Sequence, residues 1–276
     1  MTTNIRMQRY RRSEAMRRFS QEIQVTESDF IAPLFVREGI DTPEPVGSLP
    51  GVTQWPVAMI ADQAKTLQSN GVEAVILFGI PLAKDAEGSA SYDSNGVIQT
   101  AIRNIKKACP DMLVIADCCL CEYTDHGHCG LMKDGELQTD DTVVLLGRIA
   151  VSYADAGVDI VAPSGMMDGM VSGIRSALDE SNHGLVSIMS YAVKYASAFY
   201  GPFRDAAGSG DGFHGDRKHH QMQPAQRQEA IREAELDVLE GADFLIVKPA
   251  SIYQDIIRDI VETVDVPVVA YHVSGE

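Results

Sequence analysis

The chain has 276 residues, 45% hydrophobic and 22% charged, enough to bury one large core. Its 23 basic residues against 39 acidic ones give a net charge of -16, which argues against a nucleic-acid partner, because a phosphate backbone needs clustered cations. No run of about eighteen apolar residues occurs and no apolar stretch follows the N-terminal positive charges, so neither a membrane span nor a secretory signal is expected; the cytoplasm is the default compartment, with an organelle stroma or matrix left open.

Met1 to Arg18 holds six arginines and one acid, Glu14. Residues 1–28 read as a basic arm before an acidic body: a solvated tail, a segment docking on an acidic neighbouring subunit, or an Arg-rich transit segment. Short apolar runs rich in β-branched residues then predict strands over Phe30 to Val36, Ala74 to Phe78, Met112 to Ala116, Asp159 to Ala162, Leu185 to Met189, Phe244 to Val247 and Val266 to Tyr271. Helical spacing lies between most of them, over Met59 to Ser69, Val97 to Ala108, Thr142 to Ala156, Met167 to Asp179, Pro224 to Leu239 and Ile252 to Val264. Gly71-Val72-Glu73, Gly157-Val158-Asp159 and Gly241-Ala242-Asp243 repeat one grammar, in which a glycine ends a helix, an acid follows and a buried strand begins. Seven β units with intervening helices point to a (β/α) barrel over residues 29–276 rather than to an open doubly wound sheet, since no Gly-x-Gly-x-x-Gly follows the first strand. Eight strands close a barrel, so the expectation is a TIM (β/α)8 barrel whose last unit is absent from this chain.

The chemistry-bearing residues cluster at predicted strand ends. Asp117-Cys118-Cys119-Leu120-Cys121 follows the third strand and Cys129 returns after a turn. In extended backbone Cys119 and Cys121 face one side while Cys118 points away, so Cys119, Cys121 and Cys129 make a soft metal site with one position open. A structural site completed by His126 or His128, or an inert group of buried cysteines, remains an alternative. Lys248 ends an apolar strand, where desolvation lowers an amine's pKa and makes it a nucleophile toward carbonyls. Lys194 follows the preceding strand, and two lysines at matched ends would depress each other; a plain surface charge is the competing reading. The glycine-dense stretch from Gly201 to Gly215 falls after the fifth strand and reads as an active-site lid.

Read together, DCCLCEYTDHGHCG (Asp117 to Gly130), VAPSGMMDG (Val161 to Gly169), SYAVKYASAFYGPFRDA (Ser190 to Ala206), GDRKHHQMQP (Gly215 to Pro224), VKPA (Val247 to Ala250) and VSGE (Val273 to Glu276) resemble the porphobilinogen synthases, or 5-aminolevulinate dehydratases. APLFV, LPGV and LFGIP near the start resemble that family as well. The resemblance implies condensation of two 5-aminolevulinate molecules to porphobilinogen with loss of two waters, in tetrapyrrole biosynthesis. It implies a Schiff base at Lys248 with the first substrate and one at Lys194 with the second. It also implies zinc on Cys119, Cys121 and Cys129, Asp117 as proton carrier or orienter, Ser164 and Tyr200 lining the pocket, Arg204, Arg217 and Gln221 clamping the second substrate's carboxylate, and Ser274 binding the first substrate's carboxylate. Glu233 matches an allosteric magnesium position, with an exposed helix acid as the alternative, and a homo-octamer joined by N-terminal arms is implied.

Two departures stand out: Cys118 replaces a residue that does not ligate, and His219-His220 replaces a segment that ends in Tyr before Gln221. Two rival functions are a class I aldolase-like Schiff-base lyase and a non-catalytic, zinc-stabilised assembly protein.

Overall fold

The computed structural model describes residues 5–209 and 217–273. The arm carries a short helix, α1 (Glu14–Phe19), whose first turn is capped by the Ser13 hydroxyl and which buries no residue. From Ile31 strands and helices alternate: β1 (Ile31–Arg37), the small pair β2 (Glu44–Pro45) and β3 (Thr53–Pro56), α2 (Ile60–Ser69), β4 (Ala74–Ile80), α3 (Val97–Ala108) and β5 (Leu113–Cys118). A two-stranded ribbon, β6 (Met132–Lys133) with β7 (Glu136–Leu137), precedes α4 (Thr139–Asp155), β8 (Ile160–Pro163), α5 (Met170–Glu180), β9 (Ser187–Lys194) and α6 (Tyr200–Ala207). The last elements are α7 (Arg227–Glu240), β10 (Phe244–Lys248), α8 (Gln254–Thr263) and β11 (Val268–Ala270).

One sheet runs in the order β11-β10-β9-β8-β5-β4-β1-β3-β2. Each pairing in it is parallel except that of β2 with β3. Alternate residues of its strands sort into two cores. Phe35, Ile76, Phe78, Ile115, Met189 and Ile246 pack inside the curve, whereas Leu34, Val36, Val75, Leu77, Val114 and Val247 pack outward under the helices. An apolar lumen and an apolar outer layer on one wall are what a (β/α) barrel requires, as the sequence predicts. Among the described residues β11 is bonded only to β10, so no strand bridges the two ends of the wall.

The Gly-x-acid repeat has a physical basis at both of its parts. Gly71, Gly157 and Gly241 take φ of 87°, 95° and 106°, the left-handed conformation that ends a helix without a Cβ clash. The Asp159 carboxylate accepts the Val114 amide at 2.8 Å and the Lys106 ammonium at 3.0 Å. Asp243 accepts the Ile188 amide at 2.8 Å. Asp159 and Asp243 therefore each fasten the preceding strand at its entry.

Three expectations change. The strand expected over Leu185 to Met189 continues as β9 to Lys194, because Ser190, polar and fully buried, finds a partner in Asp237. β3 was not expected, since its four residues carry a proline. The stretch from Gly201 holds a helix, α6, ending at Gly208 in the left-handed conformation; residues 210–216 of the expected lid lie outside the described residues.

Candidate active site

β9 and β10 lie side by side, and their last residues, Lys194 and Lys248, are register partners. Both side chains turn into the lumen and are buried. Parallel strands put equivalent ends on one rim, so two matched lysines meet without any loop having to place them. The Lys248 Nζ lies 3.9 Å from the centre of the Tyr271 ring and 4.0 Å from that of Phe203, with Tyr191 and Tyr200 at 5.4 and 5.5 Å. Burial, and then the charge of Lys194, push the Lys248 amine well below the usual lysine range, toward the neutral nucleophile. The Lys194 Nζ donates to the Ser164 carbonyl at 2.6 Å.

Asp117, near the end of β5, faces the same space. Its Oδ2 accepts the Ser164 hydroxyl at 3.2 Å, while its buried Oδ1 has no hydrogen-bond partner. Burial and then the neighbouring Glu122 push this carboxyl up to about 8, against the opposing pull of Lys194 and Lys248. Glu122 is itself buried and raised, chiefly by burial. A carboxyl that holds its proton in such a pocket can exchange it with a reacting group.

The sulfurs of Cys119, Cys121 and Cys129 lie within 4.8 Å of one another, with Cys119 and Cys121 Sγ 3.3 Å apart. Cys118 faces the other way, toward the Leu146 carbonyl of α4 at 3.7 Å. The side-by-side placement of Cys119 and Cys121 has a different cause from the one expected: β5 stops at Cys118, Cys119 follows it, and Cys121 lies in the turn that the Leu120 carbonyl closes with the amides of Tyr123 and Thr124. Hydrogen bonds from Cys119 and Cys121 hold the Cys129 thiol well below the usual range, with Arg217 adding its charge. Three crowded thiols ionise together only beside a cation, so the set fits a thiophilic divalent ion. Neither histidine joins the cluster. His126 and His128 instead accept backbone amides of the loop, from His128 and Gly130, each at 3.1 Å.

A pocket of about 360 Å³ unites these parts, touching both lysines, Asp117, Cys121 and Glu122. Ser164, Tyr200, Arg204, Arg217 and Gln221 line it as the sequence leads one to expect. Arg217 is buried and donates to the carbonyls of Gly127 and Ser209, at 2.9 and 3.1 Å. Burial opposes its charge, but Cys129 and its sister thiols outweigh that and hold the guanidinium above its usual range. Arg204 is half-buried, with its Nε enclosed and unpartnered, as is the Gln221 amide nitrogen. The Tyr200 hydroxyl donates to the Tyr195 carbonyl at 2.6 Å, so this residue offers the pocket its ring. Ser274 lies outside the described residues. Glu233 is elsewhere, on α7, beside a cavity of about 400 Å³ shared with Asp168, Asp237 and Glu240.

Sequence reasoning missed Glu122, Phe78, Phe203, Tyr191 and Tyr271 as parts of the site. Glu122 carries a signal, an acid next to a cysteine of the cluster. The aromatic residues carry none, because β4, α6, β9 and the residue after β11 bring them together only in the folded wall.

The family model described as Delta-aminolevulinic acid dehydratase matches residues 4–276. The Delta-aminolevulinic acid dehydratase of Bacillus subtilis (strain 168) is 53% identical over 271 residues, which cover 98% of this chain and 83% of that protein. The protein of the same name from Archaeoglobus fulgidus is 50% identical over 272 residues, 99% of this chain and 84% of its own length. Among solved structures, delta-aminolevulinic acid dehydratase (porphobilinogen synthase) from Toxoplasma gondii ME49, in complex with the reaction product porphobilinogen, superposes with a TM-score of 0.96 at 41% identity, covering 100% of this chain and 79% of that one. With the profile, the relatives and the barrel in agreement, the chain belongs to the delta-aminolevulinic acid dehydratase family.

Proposed function

We propose that this chain is a zinc-dependent porphobilinogen synthase, joining two molecules of 5-aminolevulinate into porphobilinogen with loss of two waters. The observation that carries this reading is the pairing of two buried lysines on one rim, opening on a pocket also lined by Cys121 of the three clustered thiols. Each amine adds to a substrate ketone and expels its oxygen as water, which accounts for both waters; ring closure returns both lysines. Lys248, the desolvated amine, takes the first substrate, and Lys194 takes the second. Asp117, protonated at its unpartnered Oδ1 face, supplies the proton that lets a hydroxyl leave. Arg204 and Arg217 present planar guanidinium groups suited to a substrate carboxylate, with Gln221 beside them. Ser164 fixes Asp117 and Lys194 through its hydroxyl and carbonyl respectively. Cys119, Cys121 and Cys129 would hold zinc, which when bound supplies a Lewis acid beside the second substrate.

A porphobilinogen assay with and without a zinc chelator tests this, together with borohydride reduction in the presence of 5-aminolevulinate. Two covalent adducts, at Lys194 and Lys248, are expected. A single adduct, at Lys248 alone and without zinc dependence, would favour the aldolase-like reading; zinc without any adduct would favour an assembly role.

Three finer assignments belong to the same proposal. Residues 1–28 act as an assembly arm and 29–276 as the catalytic barrel; the exposed Phe19, Ile23 and Val25 support self-association into a homo-octamer, to be measured by sedimentation. Glu233 binds an allosteric magnesium ion: burial, Asp168 and Glu229 raise its carboxyl, as expected of acids awaiting a cation, and Glu233→Gln should abolish any magnesium effect on rate. No helix among the described residues is long and apolar enough to cross a membrane, which accords with a cytoplasmic enzyme.

A further inference from the structure

The register of β9 against β10 slips by one residue just before the lysines. Phe244 and Leu245 face Met189 and Ser190, but Val247 and Lys248 face Val193 and Lys194, so β9 carries one extra residue between Ser190 and Val193. A bulge of this kind reverses the parity of every later side chain. Met189 and Tyr191 belong to the lumen core, whereas Ala192 and Val193 both belong to the outer core. Two consecutive outward residues are what turn Lys194 inward. On an unbroken strand Lys194 would share the outer face with Ser190 and Ala192, out of reach of the pocket.

Ser190, the residue just before the slip, is fully buried on the outer face. Its hydroxyl donates to Oδ2 of Asp237 on α7 at 2.6 Å, and Asp237 is buried as well. Replacing such a pair by apolar residues would cost little stability, so its physical effect is one of selection: displaced by one residue, the strand would put the serine hydroxyl into an apolar lumen and leave the carboxyl orphaned. The far end of the bulge is held separately, by the Lys194 amide donating to the Met166 sulfur at 3.2 Å.

We infer that Ser190 and Asp237 are positioning residues for the second amine: their hydrogen bond fixes the bulged register of β9 that aims Lys194 into the pocket. Neither lines the lysine pocket or belongs to the thiol cluster, so they act on Lys194 through the backbone. This rests on the role proposed above for Lys194.

The test is borohydride reduction with 5-aminolevulinate followed by peptide mass spectrometry, with competitive reductive methylation by formaldehyde as a measure of each amine's access. Ser190→Ala and Asp237→Leu should lower the Lys194 adduct relative to the Lys248 adduct by roughly ten- to a hundredfold, the effect of a displacement of about 1 Å at a reacting group. Asp237→Asn, whose side-chain oxygen still accepts from Ser190, should restore the ratio toward that of the unaltered chain. The double variant Ser190→Ala/Asp237→Leu repacks the contact without a hydrogen bond; a cooperative melt together with a depressed Lys194 adduct separates positioning from stability. An unchanged adduct ratio in that folded double variant, or equal loss at both lysines in step with a lost melt in the single variants, overturns the inference. No adduct at either lysine in the unaltered chain overturns the function reading, and this inference with it.

Discussion

Lys194 and Lys248 end adjacent parallel strands as register partners, yet they meet different surroundings: one ammonium position is tied to the Ser164 carbonyl, the other is enclosed by aromatic rings. The difference gives them an order of action. Lys248→Ala should abolish turnover and the first covalent adduct, whereas Lys194→Ala should lose turnover and keep the adduct at Lys248. Mass spectrometry of the reduced variants decides; a full-yield adduct in Lys248→Ala would sink the assignment.

Replacing Cys119, Cys121 or Cys129 by Ser should weaken zinc binding by more than the roughly 10- to 100-fold that loss of an outer-shell partner costs, and remove activity. The three cysteines share the outer core with many residues from the wall strands and helices, and serine nearly matches cysteine in size, so circular dichroism should remain that of the unaltered chain. Unfolded variants would make the ion structural. Cys118→Ser, whose thiol faces α4, should keep its zinc.

Arg217→Lys should raise KM for 5-aminolevulinate by about tenfold or more with a smaller change in kcat, since an ammonium cannot reproduce a planar fork that also spans two backbone carbonyls. A lysine variant with unaltered KM would remove Arg217 from carboxylate recognition.

Burial pushes the Asp237 carboxyl up to about 7 from an ordinary 3.8, with Glu240, Glu233 and Asp168 raising it further and the Ser190 hydroxyl working against them. The folded chain thus keeps a proton that the unfolded chain releases. This contribution to stability is complete below pH 3.8 and is lost progressively as pH rises to about 7. Asp237→Asn should flatten the fall in melting temperature between pH 5 and about 7.5, as calorimetry would read. An equal slope in both proteins would show that the carboxyl titrates normally.

Gly79, in β4, has no room for a methyl group: an added Cβ would stand 2.4 Å from the Tyr123 hydroxyl and 2.6 Å from Ile98. Gly79→Ala should destabilise by about 1–3 kcal/mol in denaturant melts, the range for overpacking a filled core.

The alternation of strand and helix was legible because each wall strand is apolar on both faces, and the glycine of each repeat marks a left-handed helix end that few other residues accept. Lys248 was legible for the same reason, as a charge closing an apolar run. Lys194 was legible as a candidate but not in its aim, since the bulge depends on a contact between residues 47 positions apart, Ser190 and Asp237. The closeness of the three thiols was legible for the wrong local reason: the sequence suggested a continuous strand, whereas β5 ends at Cys118 and Cys121 lies in a turn. The aromatic enclosure of Lys248 was not legible at all, because Phe203, Tyr191 and Tyr271 meet only through tertiary closure, and Ser274 lies beyond the described residues.

The acids of the repeat bear on how the wall comes apart. Asp159 sits in the connection to β8 but grips β5 and α3, and Asp243 sits in the connection to β10 but grips β9. These two units are laced to their predecessors at the end opposite the lysines. A strand cannot peel away without unlacing its neighbour, so amides at that end should exchange with solvent through shared, large-scale openings, while the rim around the pocket opens in smaller, independent events.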